Sequence, residues 1–283
     1  MTDHMARIED LRIRRRDFEI DGVSLDIARG TVVGLVGPNG AGKTTIIRAL
    51  LGLIVPDSGR IELAGHLAGS TEGLARTGIV LDQPTAAPEW TVGSIGRRLS
   101  PFYPGWDQGR FDALLARLSV PTKRTVGELS RGQGVKLSLA TALAQSPELL
   151  ILDEPSSGLD PAARREIGDI IREFMVDPDH AVLFSTHITS DLTDLADELV
   201  VVVRGRIAVR GALTDVVDDF AVVRGDGPPP TGGVLGLQRR GDRWTALIRI
   251  EETASFGREA VIDAASVDDI IIHLGAEHEE VHA

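Results

Sequence analysis

The stretch GPNGAGKTT at residues 37–45 constrains this chain more than any other. Gly37, Gly42, Lys43 and Thr44 spell G-x-x-x-x-G-K-[ST], a phosphate-binding loop. Such a loop needs a buried strand before it and a helix after it. TVVGLV at 31–36 is short, β-branched and almost wholly apolar, as a strand buried on both faces must be. In TTIIRALLGLIV, which follows, Ile46, Ile47, Leu50, Leu51 and Ile54 fall near helical spacing. Gly37, Gly40 and Gly42 permit a tight turn, so that successive N–H groups face an anion. The helix N-terminus adds partial positive charge. Lys43 has the reach for outer phosphates, and the Thr44 hydroxyl suits Mg²⁺.

A second buried strand, LLILDEP at 149–155, runs into Asp153 and Glu154. Its end puts two carboxylates at the edge of the sheet where open α/β folds bind ligands. There Asp153 is placed to hold Mg²⁺ or its water, and Glu154 to polarise a water for attack on a γ-phosphate. Upstream, ELSRGQGVKLSLATALAQSPE at 128–148 reads as a capped helix. Ser130 and Gln133 have capping-box spacing, and Val135, Leu139, Ala142 and Leu143 share one face. Its N-terminus, with Ser130 and Gly132, is offered to something anionic.

Taken in order, GPNGAGKTT, LSRGQ, LLILDEP, SGLD (157–160) and FSTH (184–187) resemble the ATP-binding subunit of an ABC transporter, over roughly residues 7–212. FYPGWD at 102–107 is similar to bacterial ATPases of the YtrB and antibiotic-resistance type. The resemblance implies an ATPase that uses ATP and Mg²⁺. It implies an α/β fold of the P-loop NTPase kind: a mainly parallel central sheet, an antiparallel β part and a helical subdomain. A second ATPase subunit, identical or not, is expected head to tail with the first, with two ATP molecules between them.

By that resemblance Gly37, Pro38, Asn39, Gly40, Ala41, Gly42, Lys43, Thr44 and Thr45 hold ATP from one subunit. Ser130, Gly132 and Gln133 approach it from the other, and Asp160 helps link the two sites. Thr44 and Asp153 ligate Mg²⁺, while Glu154 and His187 act at the γ-phosphate. The family's loop glutamine is assigned to Gln83 as a catalytic and Mg²⁺-binding residue, although strict counting lands on Asp82. Arg131 stands where the family has glycine. Its side chain is expected to point away from the phosphate, the other reading being an added positive charge near the partner's nucleotide. Adenine stacking falls to Phe18 or to a guanidinium such as Arg14.

The expected division is an ATPase domain at 1–219, with its helical subdomain at about 84–147, and a small α+β accessory domain at 220–283. GDGPPPTGG at 225–233 reads as a loop, VLGLQRRGDRWTALIRI as a hairpin, and SVDDIIIHLGAE as a helix opening at Ser266. Trp90, Phe102, Tyr103 and Trp106, in a helical subdomain expected to face the membrane partner, read as core or as partner contacts, with core preferred for each alone. The terminal HEEVHA reads as a polar tail. The absence of cysteine excludes disulfides and thiolate chemistry. A net charge of −12 opposes a nucleic-acid role, and no nucleic-acid partner is expected. No apolar run approaches the ~18 residues of a membrane span. Transport therefore requires an integral membrane permease subunit, with this chain cytoplasmic and peripheral on the inner face of the membrane. The resemblance leans towards export. The rival reading is a soluble ABC-type ATPase with a regulatory or nucleic-acid-linked role; the single motif set, the lack of heptads and the acidity oppose it.

Overall fold

The computed structural model describes residues 4–16, 18–81, 84–230, 232–257 and 260–276. The chain opens with β1 (His4–Arg15) and β2 (Phe18–Ala28), then β3 (Val32–Val36), the phosphate loop and α1 (Lys43–Leu50). β4 (Ser58–Leu63) and β5 (His66–Leu67) lead to α2 (Thr71–Ala75) and β6 (Thr77–Val80). A helical stretch follows: α3 (Ile95–Leu99), α4 (Gln108–Arg117) and α5 (Arg131–Ala144). Next come β7 (Leu149–Asp153), α6 (Pro161–Phe174), β8 (Ala181–Ser185), α7 (Thr189–Thr193), β9 (Glu198–Val203) and β10 (Arg206–Ala212). The C-terminal part holds α8 (Leu213–Asp218), β11 (Phe220–Asp226), β12 (Leu235–Arg240), β13 (Arg243–Arg249), β14 (Val261–Ala264) and α9 (Val267–Ala276).

The central sheet has the order β10-β9-β3-β8-β7-β6. Pairing is parallel from β9 to β6, and β10 closes one edge antiparallel. Parallel pairing sends β3, β7 and β8 to the same edge. The phosphate loop, Asp153–Glu154 and the segment with His187 therefore emerge side by side. β3, β7 and β8 are buried along their whole length, which is why their sequences are apolar up to the closing Asp153 of β7 and Ser185 of β8.

The side-chain alternation of each strand feeds two cores. Val33, Leu35, Leu149 and Ile151 pack with Ile46, Ile47 and Leu50 of α1 and with Ile8 and Leu11 of the antiparallel sheet β2-β1-β4-β5. Leu150, Leu152, Leu199 and Val201 face the other way, onto Leu139 and Leu143 of α5, Ile167 and Ile171 of α6, and Ile270 and Leu274 of α9. The antiparallel sheet β12-β13-β11-β14 presses one face into this second core and keeps a small core of its own around Trp244 and Ile248.

Three local expectations change. α1 stops at Leu50 because Gly52 takes a left-handed conformation (φ 72°) just past the cap, so Ile54 lies beyond the helix. β11 runs through Gly225 and Asp226, shortening the expected loop. Phe102 is 76% exposed rather than buried, whereas Trp90 and Trp106 pack on the core. Among the described residues no helix is long and apolar enough to cross a membrane. The HEEVHA tail, Asp82 and Gln83 lie outside the described residues.

Candidate nucleotide-binding site

At the carboxyl edge of the central sheet lies a cleft of about 480 Å³. Asn39, Gly40, Ala41, Gly42, Lys43, Thr44 and Thr45 form its floor; Asp153, Glu154 and His187 stand opposite. The floor depends on backbone that only glycine permits. Gly37 has φ 145°, and a Cβ there would collide with the Val202 carbonyl of the neighbouring strand. Gly42 (φ 115°) would meet Ile20 at 2.6 Å and Phe18 at 2.9 Å.

Lys43 is only 6% exposed. Its ammonium donates to the Gly37 carbonyl at 2.7 Å and lies 3.8 Å from Glu154 Oε1. Burial pushes its pKa below the usual lysine value, and the charges of Glu154 and Asp153 partly oppose that. A phosphate group would add negative charge beside this buried ammonium.

Asp153 is 3% exposed at the end of β7, and the Ser185 hydroxyl donates to its Oδ1 at 2.6 Å. The same hydroxyl accepts from the Glu154 N–H at 3.1 Å. Ser185 thus fixes both acids from the adjacent strand. Glu154 itself has a positive φ of 53°, which turns its carboxylate off the strand line and into the cleft. Glu154 Oε2 lies 2.5 Å from His187 Nδ1 and accepts from the His187 N–H at 3.3 Å. The acid and the histidine therefore form one unit facing Lys43. The Thr44 hydroxyl and the second oxygen of Asp153 fit Mg²⁺ in a phosphate site, since that ion takes one or two protein ligands alongside phosphate oxygens and water.

Not every expected residue enters this cleft. Gly37 and Pro38 border an adjoining cleft shared with α9. Ser130, Gly132 and Gln133 lie outside it. Ser130 caps α5 instead: its hydroxyl accepts from the Gln133 N–H at 3.3 Å, and Gln133 Oε1 accepts from the Ser130 N–H at 3.1 Å. Asp160 caps α6, accepting from the Ala163 N–H at 2.8 Å, and this backbone donor holds its carboxyl below the usual range. Gln83 is outside the described residues.

Arg131, expected to turn away from the phosphate of a partner's nucleotide, lies in this structure against its own chain. Its side chain lies across the Ser157–Gly158 turn, with Cδ 3.5 Å from where a Gly158 Cβ would stand, and it lines the cleft with Lys43 and Glu154. Phe18 also lines the cleft, while Arg14 is exposed and paired with Glu19 at 2.8 Å. Sequence reasoning missed Ser157, Arg48 and Ser185. Ser185 stood within the FSTH motif, but its task depends on β8 lying beside β7.

The family model described as "ABC transporter" matches residues 20–157. The chain is 32% identical to the daunorubicin resistance ATP-binding protein DrrA3 of Streptomyces coeruleorubidus, across 99% of this chain and 99% of that protein. It is 35% identical to the Nod factor export ATP-binding protein I of Rhizobium sp. (strain N33), across 71% of this chain and 68% of that protein. Among solved structures, an ATP-binding subunit of an ABC transporter superposes with a TM-score of 0.68 at 27% identity, covering 75% of this chain and 91% of that one. The cbiO1 protein of Clostridium perfringens, part of the transporter complex cbiONQ, gives 0.62 at 27% identity, covering 76% and 91%.

Proposed function

The chain belongs to the ABC transporter ATP-binding proteins, and we propose from this that its ATP hydrolysis powers export through a separate membrane permease, with closure of two ATPase subunits as the working stroke. Binding and hydrolysis of ATP are the family's activity. The finer steps rest on the site's own residues.

In this reading, Lys43 and the N–H groups of residues 39–45 bind the phosphates, and Phe18 stacks on adenine. Thr44 and Asp153 would hold Mg²⁺, which would supply positive charge to the phosphate oxygens. Glu154 orients the attacking water, and His187 holds the γ-phosphate and the carboxylate in register. Phosphoryl transfer of this kind is mainly positioning and charge stabilisation. Ser130, Gly132 and Gln133 sit away from their own chain's cleft at an exposed helix start, and there they serve the nucleotide bound to the partner subunit. Asp160, beside them, links the two sites. Gln83 completes the Mg²⁺ and water contacts.

The observation that carries this reading is the convergence of Lys43, Glu154 and His187, within 3.8 Å and 2.5 Å of one another through the two oxygens of Glu154. Glu154→Gln tests it. Turnover is expected to fall by about a hundredfold or more with ATP binding retained, since the lost group acts at the transition state. Normal turnover in that variant would refute the assignment.

The permease partner is supported by an apolar groove of about 420 Å³ beside the helical stretch, lined by Leu53, Leu81, Ala86, Trp90, Leu99 and Tyr103. Its size and lining suit a short amphipathic helix. Such docking would hold the chain at the inner face of the membrane. Export is supported by the relatives, which are named for drug resistance and for Nod factor export.

A further inference from the structure

The loop that carries His187 is held from two sides. On the cleft side, the His187 N–H and ring both meet Glu154. On the far side, Thr189 Oγ1, two residues on, donates to Asp268 Oδ2 at 2.8 Å. Asp268 lies in the first turn of α9, a helix of the C-terminal part that carries none of the nucleotide-site motifs. α9 also reaches the phosphate loop: a Cβ built on Gly275 would stand 3.6 Å from Pro38 Cγ. Between helix and loop runs a second cleft of about 610 Å³, with Asn39 and His187 on one wall and Gln238, Asp268 and Ile272 on the other.

α9 is a firm anchor. Ile270 and Leu274 are buried in the core shared with β9, and the buried His273 lies with Nδ1 2.6 Å from the Gly236 carbonyl. Asp268 is not occupied with capping its own helix. Ser266 and Asp269 do that: the Ser266 hydroxyl accepts from the Asp269 N–H at 3.1 Å, and Asp269 Oδ2 accepts from the Ser266 N–H at 3.0 Å. Asp268 therefore points its carboxylate across to another element.

We propose that Asp268 is a positioning residue for His187, and that through the Thr189–Asp268 bond the C-terminal helix α9 is coupled to the presence of a γ-phosphate. The proposal rests on the reading of His187 as a γ-phosphate contact. Coupling of this kind is reciprocal: whatever fixes His187 orders α9, and whatever fixes α9 pre-sets His187 for ATP.

Amide hydrogen exchange on the full-length chain tests this, comparing no nucleotide, ADP and the non-hydrolysable analogue adenylyl imidodiphosphate. The analogue is expected to slow exchange in residues 267–276, as well as in 186–193, at least threefold beyond ADP. Asp268→Ala and Thr189→Val should each abolish the analogue-specific slowing in 267–276 while leaving protection of 37–45 intact. Asp268→Asn, which keeps an acceptor oxygen, should restore it. If 37–45 and 186–193 are protected while 267–276 exchanges at its nucleotide-free rate, the coupling is refuted and the nucleotide site stands. The coupling is equally refuted if both variants keep the analogue-specific slowing in 267–276. No protection at 37–45 would overturn the nucleotide-site reading and this proposal together.

Discussion

Glu154 and Asp153 are adjacent in sequence but live in different environments, and Ser185 makes the difference workable. One hydroxyl donates to Asp153 and accepts from the Glu154 N–H, holding one acid in the sheet and aiming the other into the cleft. Ser185→Ala should leave nucleotide affinity near normal and lower turnover roughly tenfold, the effect of losing about 1.4 kcal/mol of positioning; steady-state kinetics separates the two. Arg131 is the other residue with consequences at this scale. Because Arg131 lines the cleft of its own chain, Arg131→Gly should weaken ATP binding by the monomer about threefold to tenfold, as expected for loss of one exposed charge contact. Unchanged affinity in a titration with fluorescent ATP would mean the side chain acts elsewhere. The phosphate loop, Asp153, Glu154 and His187 were readable in the sequence because their chemistry sits in short contiguous motifs. Ser185 and Arg131 were not, since their roles depend on which strand lies beside β7 and on the course of the turn at Gly158.

Among the elements, α5 shows a legible feature fulfilled in detail. The Ser130–Gln133 spacing gives a reciprocal capping box at the start of the helix. Ser130→Ala should cost about 1 kcal/mol of stability through the lost cap, measurable by denaturant unfolding. The junction of β6 and β7 carries a feature that spacing could not reveal. Glu148 accepts two hydrogen bonds from the Arg76 guanidinium and lies 3.3 Å from Arg29. The Arg76 hydrogen bonds hold the Glu148 carboxyl below the ordinary glutamate value of 4.5. Its contribution is therefore complete above that ordinary value and is lost as pH falls through the lowered folded value. Glu148→Gln should remove about 1 kcal/mol at neutral pH, a size limited by its partial exposure, and should flatten the acid side of the stability profile. A slope of Tm against pH that stays unchanged below about 5, a window set by the ordinary carboxylate range, would contradict this.

At the scale of the whole molecule, the C-terminal part was legible as a hairpin followed by a helix, but its place was not. The alternation in β12 and β13 and the cap at Ser266 are local signals. The packing of Ile270 and Leu274 onto Leu199 and Val201 joins segments far apart in the chain, and no local pattern records it. Because this core is continuous, heat should unfold the chain in one cooperative transition. Ile270, fully buried, should cost about 2–4 kcal/mol when cut to alanine and lower that single transition. A separate low-temperature transition for the C-terminal part in calorimetry would contradict the shared core. At the largest scale, two copies of the cleft, each completed by the exposed α5 start of the other, are expected to close on ATP. Light scattering of purified Glu154→Gln with and without ATP tests this most directly. A dimer that forms with ATP and dissociates without it is the predicted result; a monomer at saturating ATP would contradict closure between two copies of this chain.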